Sequence, residues 1–292
     1  MTRVPGPVVS ARWLADRLGD PNLRIVDATV HLPDTGRNAR AEYRLGHIPG
    51  AAFFDFESVA DPDNPLPRKC PDGALLADRA GALGIGNDTH VVAYDTPGLY
   101  SAARVWWLFR HYGYERVSVL DGGLKAWRAA GLPLAEGEPP APTRRDFMIG
   151  EAQGLVARWP GVLAAARSGS PQIFDARTPG RFAGTEQDRY PGTRPGRIPG
   201  SRNLYWANLL EPDTRCLLPA AALRGCFEAA GFDYARPAIL TCGSGLTACI
   251  LALALHLTGK NDWQVYDGSW DEWGRRADLP IESASPARGD SP

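Results

Sequence analysis

Four blocks of this 292-residue sequence occur twice, in the same order. RIVDA (Arg24 to Ala28), GHIPGA (Gly46 to Ala51), HVVAYD (His90 to Asp95) and LDGGLKAW (Leu120 to Trp127) return as QIFDAR (Gln172 to Arg177), GRIPGS (Gly196 to Ser201), PAILTC (Pro237 to Cys242) and YDGSWDEW (Tyr266 to Trp273). The offset holds near about 148 residues throughout, so the chain carries two copies of one fold. Each copy alternates short β-branched runs with helical patterns. The runs centre on Ile25, Val92 and Val119, then on Ile173, Ile239 and Val265. That alternation predicts an α/β fold in which each half is a largely parallel sheet flanked by helices. Ser10 is placed to cap a helix carrying Trp13, Leu14 and Leu18, and Ser101 to Tyr112 shows a wide apolar face. Gly131 to Gly154 contains Glu-Gly-Glu-Pro-Pro-Ala-Pro and little apolar periodicity, and reads as a stiff connection wrapped across the pair. The division expected is a first domain over residues 1–135, a linker over 136–154 and a second domain over 155–292.

Charge excludes some partners. With a formal net charge of -1 there is no basic field to draw the chain to nucleic acid or to an anionic membrane. Leu246 to Leu257, the most apolar run, is too short to span a bilayer. Five cysteines, Cys70, Cys216, Cys226, Cys242 and Cys249, form no CxxC or metal-type cluster, and nothing like a signal peptide precedes Ser10. A reducing cytoplasm is the expected compartment. The histidines are scattered without ligand spacing, so no metal is expected.

The two copies differ where the chemistry must lie. HVVAYD ends on Asp95 and is followed by Thr96-Pro97-Gly98; PAILTC ends on Cys242 and is followed by Gly243-Ser244-Gly245. Only the second half can do thiol chemistry, which leaves the first as a scaffold that covers the site. An apolar run delivers Cys242 into a glycine loop that turns directly into a helix starting near Leu246. Amides of Gly243 to Thr247 can converge there on the sulfur, beside the positive end of a helix dipole. A thiolate is favoured at such a place and is nucleophilic without a histidine beside it. Gly243 and Gly245 let the backbone curl closely. An isolated Cys-Gly would read as packing; the order strand, cysteine, glycine loop, helix reverses that preference. Cys249 reads as core, and Trp106, Trp107, Trp127 and Trp273 as core or interface. Asp27 and Asp175 read as loop-orienting, and Gly122 and Gly123 as a tight turn.

HIPGAAFFD (His47 to Asp55), YSAARVWWLFR (Tyr100 to Arg110), VSVLDGG (Val117 to Gly123), DARTPGRFAGTE (Asp175 to Glu186), TCGSGLTAC (Thr241 to Cys249) and YDGSWDEW together resemble the tandem-domain rhodanese superfamily of sulfurtransferases. The CGSG-type loop is similar to that of the 3-mercaptopyruvate sulfurtransferases; thiosulfate sulfurtransferases usually carry two cations there. An uncharged loop suits a keto acid better than a dianion. The resemblance implies that Cys242 attacks the donor sulfur, that pyruvate leaves as its enolate, and that a persulfide remains on Cys242. A thiol such as thioredoxin or a small thiol, or cyanide, then takes the sulfur, and no further cofactor is implied.

The resemblance also implies roles for single residues. Gly243, Gly245, Leu246 and Thr247 would hold substrate, Ser244 would orient it or relay a proton, and Arg181 matches the substrate arginine. The second substrate arginine falls on Tyr190, flanked by Arg189 and followed by Arg194; Arg189 is chosen and Arg194 is the alternative. An aspartate and a histidine from the first domain fall on Glu57 and Arg68, so Ser244 either works without such a base or is served by Arg68 binding substrate. Arg197, where the first copy has His47, reads as structural. A cysteine-dependent phosphatase would want an arginine six residues after the cysteine, where Ala248 stands. Thiosulfate as donor, and a sulfur carrier without turnover, stay open. A monomer is expected because the halves can bury one another.

Overall fold

In the computed structural model, which describes residues 5–32 and 35–283, the two halves build the same sheet. The outermost residues of the expected first and second domains lie outside this description. The first half runs β1 (Val8–Val9), α1 (Ala11–Ala15), β2 (Leu23–Asp27), α2 (Ala39–Leu45), β3 (Ala52–Phe53), α3 (Gly73–Ala82), β4 (His90–Tyr94), α4 (Ala102–His111), β5 (Val117–Leu120) and α5 (Gly123–Ala129). The second runs β6 (Val156–Ala157), α6 (Trp159–Ser168), β7 (Gln172–Asp175), α7 (Pro179–Ala183), β8 (Arg202–Asn203), α8 (Ala220–Ala229), β9 (Ala238–Thr241), α9 (Ala248–Leu257), β10 (Trp263–Tyr266) and α10 (Ser269–Trp273). Both sheets are parallel and five-stranded, in the orders β1-β5-β4-β2-β3 and β6-β10-β9-β7-β8. These are one topology, element for element.

The β-branched centres are β2, β4, β5, β7, β9 and β10. The remaining four strands, at the sheet edges, have two residues each, too few to show any periodicity and short enough to limit edge pairing. Central strands of a parallel sheet are covered on both faces and need continuous apolar runs. Val91 to Tyr94 and Ala238 to Thr241 supply them, and all are buried. Asp95 and Cys242 therefore emerge at the carboxyl end of the middle strand, beside the point where the strand order reverses, which is where open α/β sheets place ligands.

Local signals are honoured in the helices. Ser10 Oγ accepts from the Trp13 amide at 3.2 Å and starts α1. Ser101 precedes α4 but sends its hydroxyl to Ala28 O instead of capping. Helix α9 begins at Ala248, slightly later than the sequence suggests, because Leu246 and Thr247 still belong to the cysteine loop. Ala248 to Leu255 are buried all round the helix, as expected for one enclosed in a core. It packs against α4 across the domain boundary, where the rings of Trp106 and Trp263 lie 6.0 Å apart. Trp127 and Trp273 repeat one contact in each half, donating from Nε1 to Pro133 O and Pro280 O at 2.8 Å.

Residues 136–154 run along the first half. Amides of Arg145, Gly150 and Gln153 donate to carbonyls of Gly81, Tyr112 and His111, and Arg144 and Arg145 pair with Asp78 and Asp88. Asp27 and Asp175 each accept the amide two residues on, at 2.9 Å, and so shape the loops after β2 and β7. Gly122 and Gly123 have φ of 68° and 54°, and a Cβ on Gly123 would lie 2.3 Å from Asp95 O. His47 and Arg197 both make backbone bridges, to Ala135 and Glu282. Among the described residues no helix is long and apolar enough to cross a membrane.

Candidate active site

The cysteine loop is held by its carbonyls. Cys242 O and Gly243 O accept from the amides of Trp270 and Asp271 at 3.0 and 2.8 Å, at the start of α10. Ser244 O accepts from Lys69 Nζ at 3.0 Å, and Gly245 O from Arg104 Nη1 at 3.2 Å and Cys249 Sγ at 3.2 Å. Four successive carbonyls of the loop are thus each held by a donor outside it. Gly245 N–H donates to Cys242 Sγ at 3.1 Å, and Ser269 Oγ lies 3.9 Å from the same sulfur. Gly245 has φ of +88°, and a Cβ there would meet Asp267 O at 2.9 Å and Arg104 Nη1 at 3.0 Å, so the curl requires glycine.

The first half shows what such a loop is for. Asp95, at the position of Cys242, is fully buried, and its Oδ2 accepts the amides of Tyr100, Ser101 and Ala102 at 2.7, 2.8 and 2.8 Å. Burial raises its carboxyl pKa, against those amides. The equivalent strand end thus presents backbone amides in both halves, three of them to a carboxylate in the first and that of Gly245 to the sulfur in the second.

Cys242 forms the floor of a cavity of about 110 Å³, whose wall includes Gly243, Ser244, Leu246, Thr247, Arg181, Arg189 and Tyr190, with Tyr100 and Leu32 from the first half. Sequence reasoning weighed the seven from the second half; it gave no role to Leu32 or Tyr100, nor to Thr178, Tyr205 and Trp206, which also line the wall. Arg181, on the short α7, pairs with Asp188 at 2.6 Å, while its Nε is buried and has no hydrogen-bond partner among the described residues. Asp188 also binds Arg177 Nη1 at 2.9 Å; burial alone would raise its carboxyl pKa, but Arg181 and Arg177 outweigh it and hold it low. The same Asp188 carboxylate counteracts the desolvation of Arg181, which stays firmly protonated. Arg181 is thus aimed by a carboxylate and retains a donor for another.

Other expected residues are placed differently. Arg189 lines the cavity at its exposed side, and its amide donates to Asp188 Oδ1 at 2.7 Å. Tyr190, its neighbour, is the residue that reaches the loop: its hydroxyl donates to Ser244 Oγ at 2.9 Å. Arg194 donates to Gly274 O, Arg276 O and Leu279 O, tying the loop before β8 to the chain after α10, and it does not line the cavity. Arg68 does not line it either. Its guanidinium pairs with Glu57 at 2.6 Å beside a separate surface hollow, and its carbonyl accepts from Arg104 Nη2 at 2.7 Å. The pair at the positions of the family's aspartate and histidine is therefore present as a salt bridge.

Sequence reasoning missed the cluster behind the loop. Lys69, Arg104 and Asp267 are buried between the halves. Arg104 pairs with Asp267 at 2.6 Å, Lys69 Nζ donates to Asp267 O at 3.0 Å, and the Cys70 amide donates to Asp267 Oδ2 at 2.7 Å. Burial would raise the Asp267 carboxyl pKa, yet Arg104 and Lys69 overcome it and lower it; burial pulls the Lys69 ammonium down, opposed by Asp267. A larger cavity of about 530 Å³ lies on this rear side, lined by Lys69, Cys70, His111 and Asp267, and does not include Cys242.

Comparison with known proteins agrees with this arrangement. The Rhodanese-like domain family matches residues 10–130 and again 161–276. The chain is 41% identical over 289 residues to 3-mercaptopyruvate sulfurtransferase of Homo sapiens, covering 97% of this chain and 96% of that one. It is 40% identical over 275 residues to the Escherichia coli (strain K12) protein of the same name, covering 94% and 97%. Thiosulfate sulfurtransferase of Cricetulus griseus is 42% identical over 277 residues, covering 92% of each. The crystal structure of SseA from Escherichia coli, a 3-mercaptopyruvate sulfotransferase, superposes with a TM-score of 0.80 at 36% identity, covering 91% of this chain and 99% of that one. Two matched domains, one sheet topology built twice and a cysteine at the mouth of the second sheet make this chain a tandem-domain member of the rhodanese family.

Proposed function

We propose that the protein moves sulfane sulfur from 3-mercaptopyruvate to a thiol or cyanide through a persulfide on Cys242. The observation that carries this reading is the Gly245 amide on Cys242 Sγ, inside a loop whose four carbonyls are all directed away. Such a cradle favours negative charge on sulfur before and after transfer. In the first step Cys242 Sγ attacks the donor sulfur, a sulfur–sulfur bond forms and the carbon–sulfur bond breaks. The released electron pair becomes the pyruvate enolate, and the thiol proton of the donor ends on its carbon. Arg181 Nε is free to take the substrate carboxylate. Ser244, on the cavity wall, is within the loop that faces the departing enolate.

Sulfur then leaves to an acceptor, such as reduced thioredoxin or a small thiol, in a compartment that keeps free cysteines reduced; the cytoplasm is such a place. Thiosulfate is the second donor, since a thiosulfate sulfurtransferase is among the relatives at similar identity. The two are separated by measuring pyruvate and sulfite release from purified protein. We expect kcat/KM for mercaptopyruvate to exceed that for thiosulfate by at least about tenfold, or about 1.4 kcal/mol in transition-state binding. A smaller ratio, or the reverse, overturns the donor assignment.

A further inference from the structure

We propose that Tyr190 is a positioning residue that commits Ser244 to donate its proton toward the enolate oxygen of the leaving group. This rests on the mercaptopyruvate reading above and gives a role to the one position where the sequence offers a phenol in place of the second arginine.

The geometry is specific. Tyr190 is 9% exposed, and a Cβ on Gly243 would lie 2.4 Å from its Cε2, so the ring closes directly over the loop. Its hydroxyl donates to Ser244 Oγ at 2.9 Å, and among the described residues that is the one hydrogen bond of Ser244 Oγ. A serine oxygen that already accepts from a phenol still has its own proton to give. Donation from Tyr190 also polarises it, because linked hydrogen bonds strengthen one another in a desolvated site. Burial, and then the charge on Cys242, push the phenol up to about 12, so at neutral pH Tyr190 keeps the proton it donates.

The cavity supplies the acceptor when substrate enters. With the donor sulfur against Cys242 and its carboxylate against Arg181, the ketone between them is the polar group that faces Ser244. That oxygen gains negative charge only as the carbon–sulfur bond breaks, so a hydrogen bond to it strengthens in the transition state and raises kcat. An arginine at this position would instead grip a carboxylate that is equally charged before and after, which is uniform binding and lowers KM. Tyr190 and Ser244 end the step with the protons they began with; the proton that completes pyruvate is the donor's own.

The test is a double-mutant cycle on the full chain, with pyruvate release from 3-mercaptopyruvate as the readout. Tyr190→Phe keeps the ring over Gly243 and is expected to lower kcat by about 10- to 100-fold with KM changed less than about threefold. In a Ser244→Ala background the same substitution should lower kcat by no more than about twofold, because the group it acts through is gone. An equal loss in both backgrounds, a loss confined to KM, or an unchanged kcat in Tyr190→Phe overturns the proposal. Thermal melting of each variant reports folding separately. Failure of the underlying reading looks different: wild-type protein itself would then release no pyruvate or build no persulfide on Cys242, and the proposal would fall with it.

Discussion

Residue by residue, reactivity depends on which atoms can approach the Cys242 sulfur. Gly243 is fixed by its surroundings, since a Cβ there would also sit 2.9 Å from Arg181 Nη2. Gly243→Ala must push Tyr190 and Arg181 off the loop, an overpacking cost of about 1–3 kcal/mol, and kcat/KM should fall by roughly 10- to 100-fold. Gly161 lies in α6 with nothing within 4 Å of its would-be Cβ. Gly161→Ala should leave activity unchanged and raise stability by about 0.5–1 kcal/mol, read from urea unfolding. Cys242, Ser244 and the two loop glycines were legible as one unit in the sequence, because a strand end, a glycine loop and a helix start are local and fall within a few residues; Arg181, far from them in the chain, was reached only through the family resemblance. Which of Arg189 and Tyr190 touches the loop was not legible, because one residue of loop register decides it; both line the cavity, and it is the Tyr190 hydroxyl that bonds Ser244 Oγ. Arg194 was legible as a cation, but not as one whose guanidinium is committed to three carbonyls.

At the scale of elements, the central strands explain both the site and a pH dependence. His90 opens β4, and its Nε2 lies 3.0 Å from Ser118 Oγ, which itself donates to Gly6 O and so leaves the ring nitrogen as donor. Burial, helped by Arg116, pushes the His90 pKa down from 6.5 to about 4. Between these values the unfolded chain binds a proton that the folded chain refuses, so stability is greatest above pH 6.5 and falls as pH drops toward 4. The loss from this residue is on the order of 3 kcal/mol. His90→Gln should flatten the slope of melting temperature across that window, in part only, because burial also lowers His111 and His256. An unchanged slope would contradict the assignment. The longer strands were legible because β-branched runs of four or five residues carry their own signal; the two-residue edge strands exist through pairing alone.

At the scale of the molecule, the first half is the part that holds the second half's loop. Lys69 and Arg104 reach across the boundary to Ser244 O and Gly245 O, contacts between residues 175 and 141 positions apart. No local pattern announces such a cluster, which is why it was invisible in the sequence although Arg104 lies inside a quoted motif. Lys69→Met leaves two buried carbonyls without their donor and should cost about 1–3 kcal/mol, whereas Arg104→Met strands the Asp267 carboxylate and should cost about 3–5 kcal/mol. Both should also slow turnover, since the loop's carbonyls are then free to turn inward; equal stability with unchanged kcat in Lys69→Met would remove the clamp from the account. The duplication itself was fully legible, and the shared strand order is its structural form.

In this mechanism one thiol, that of Cys242, carries the transferred sulfur atom. Peptide mass spectrometry after brief incubation with 3-mercaptopyruvate and no acceptor tests it most directly. One added sulfur is expected on the peptide containing Cys242, in proportion to pyruvate released, and neither product in Cys242→Ser. Added sulfur on another cysteine, or pyruvate release that survives in Cys242→Ser, would contradict it.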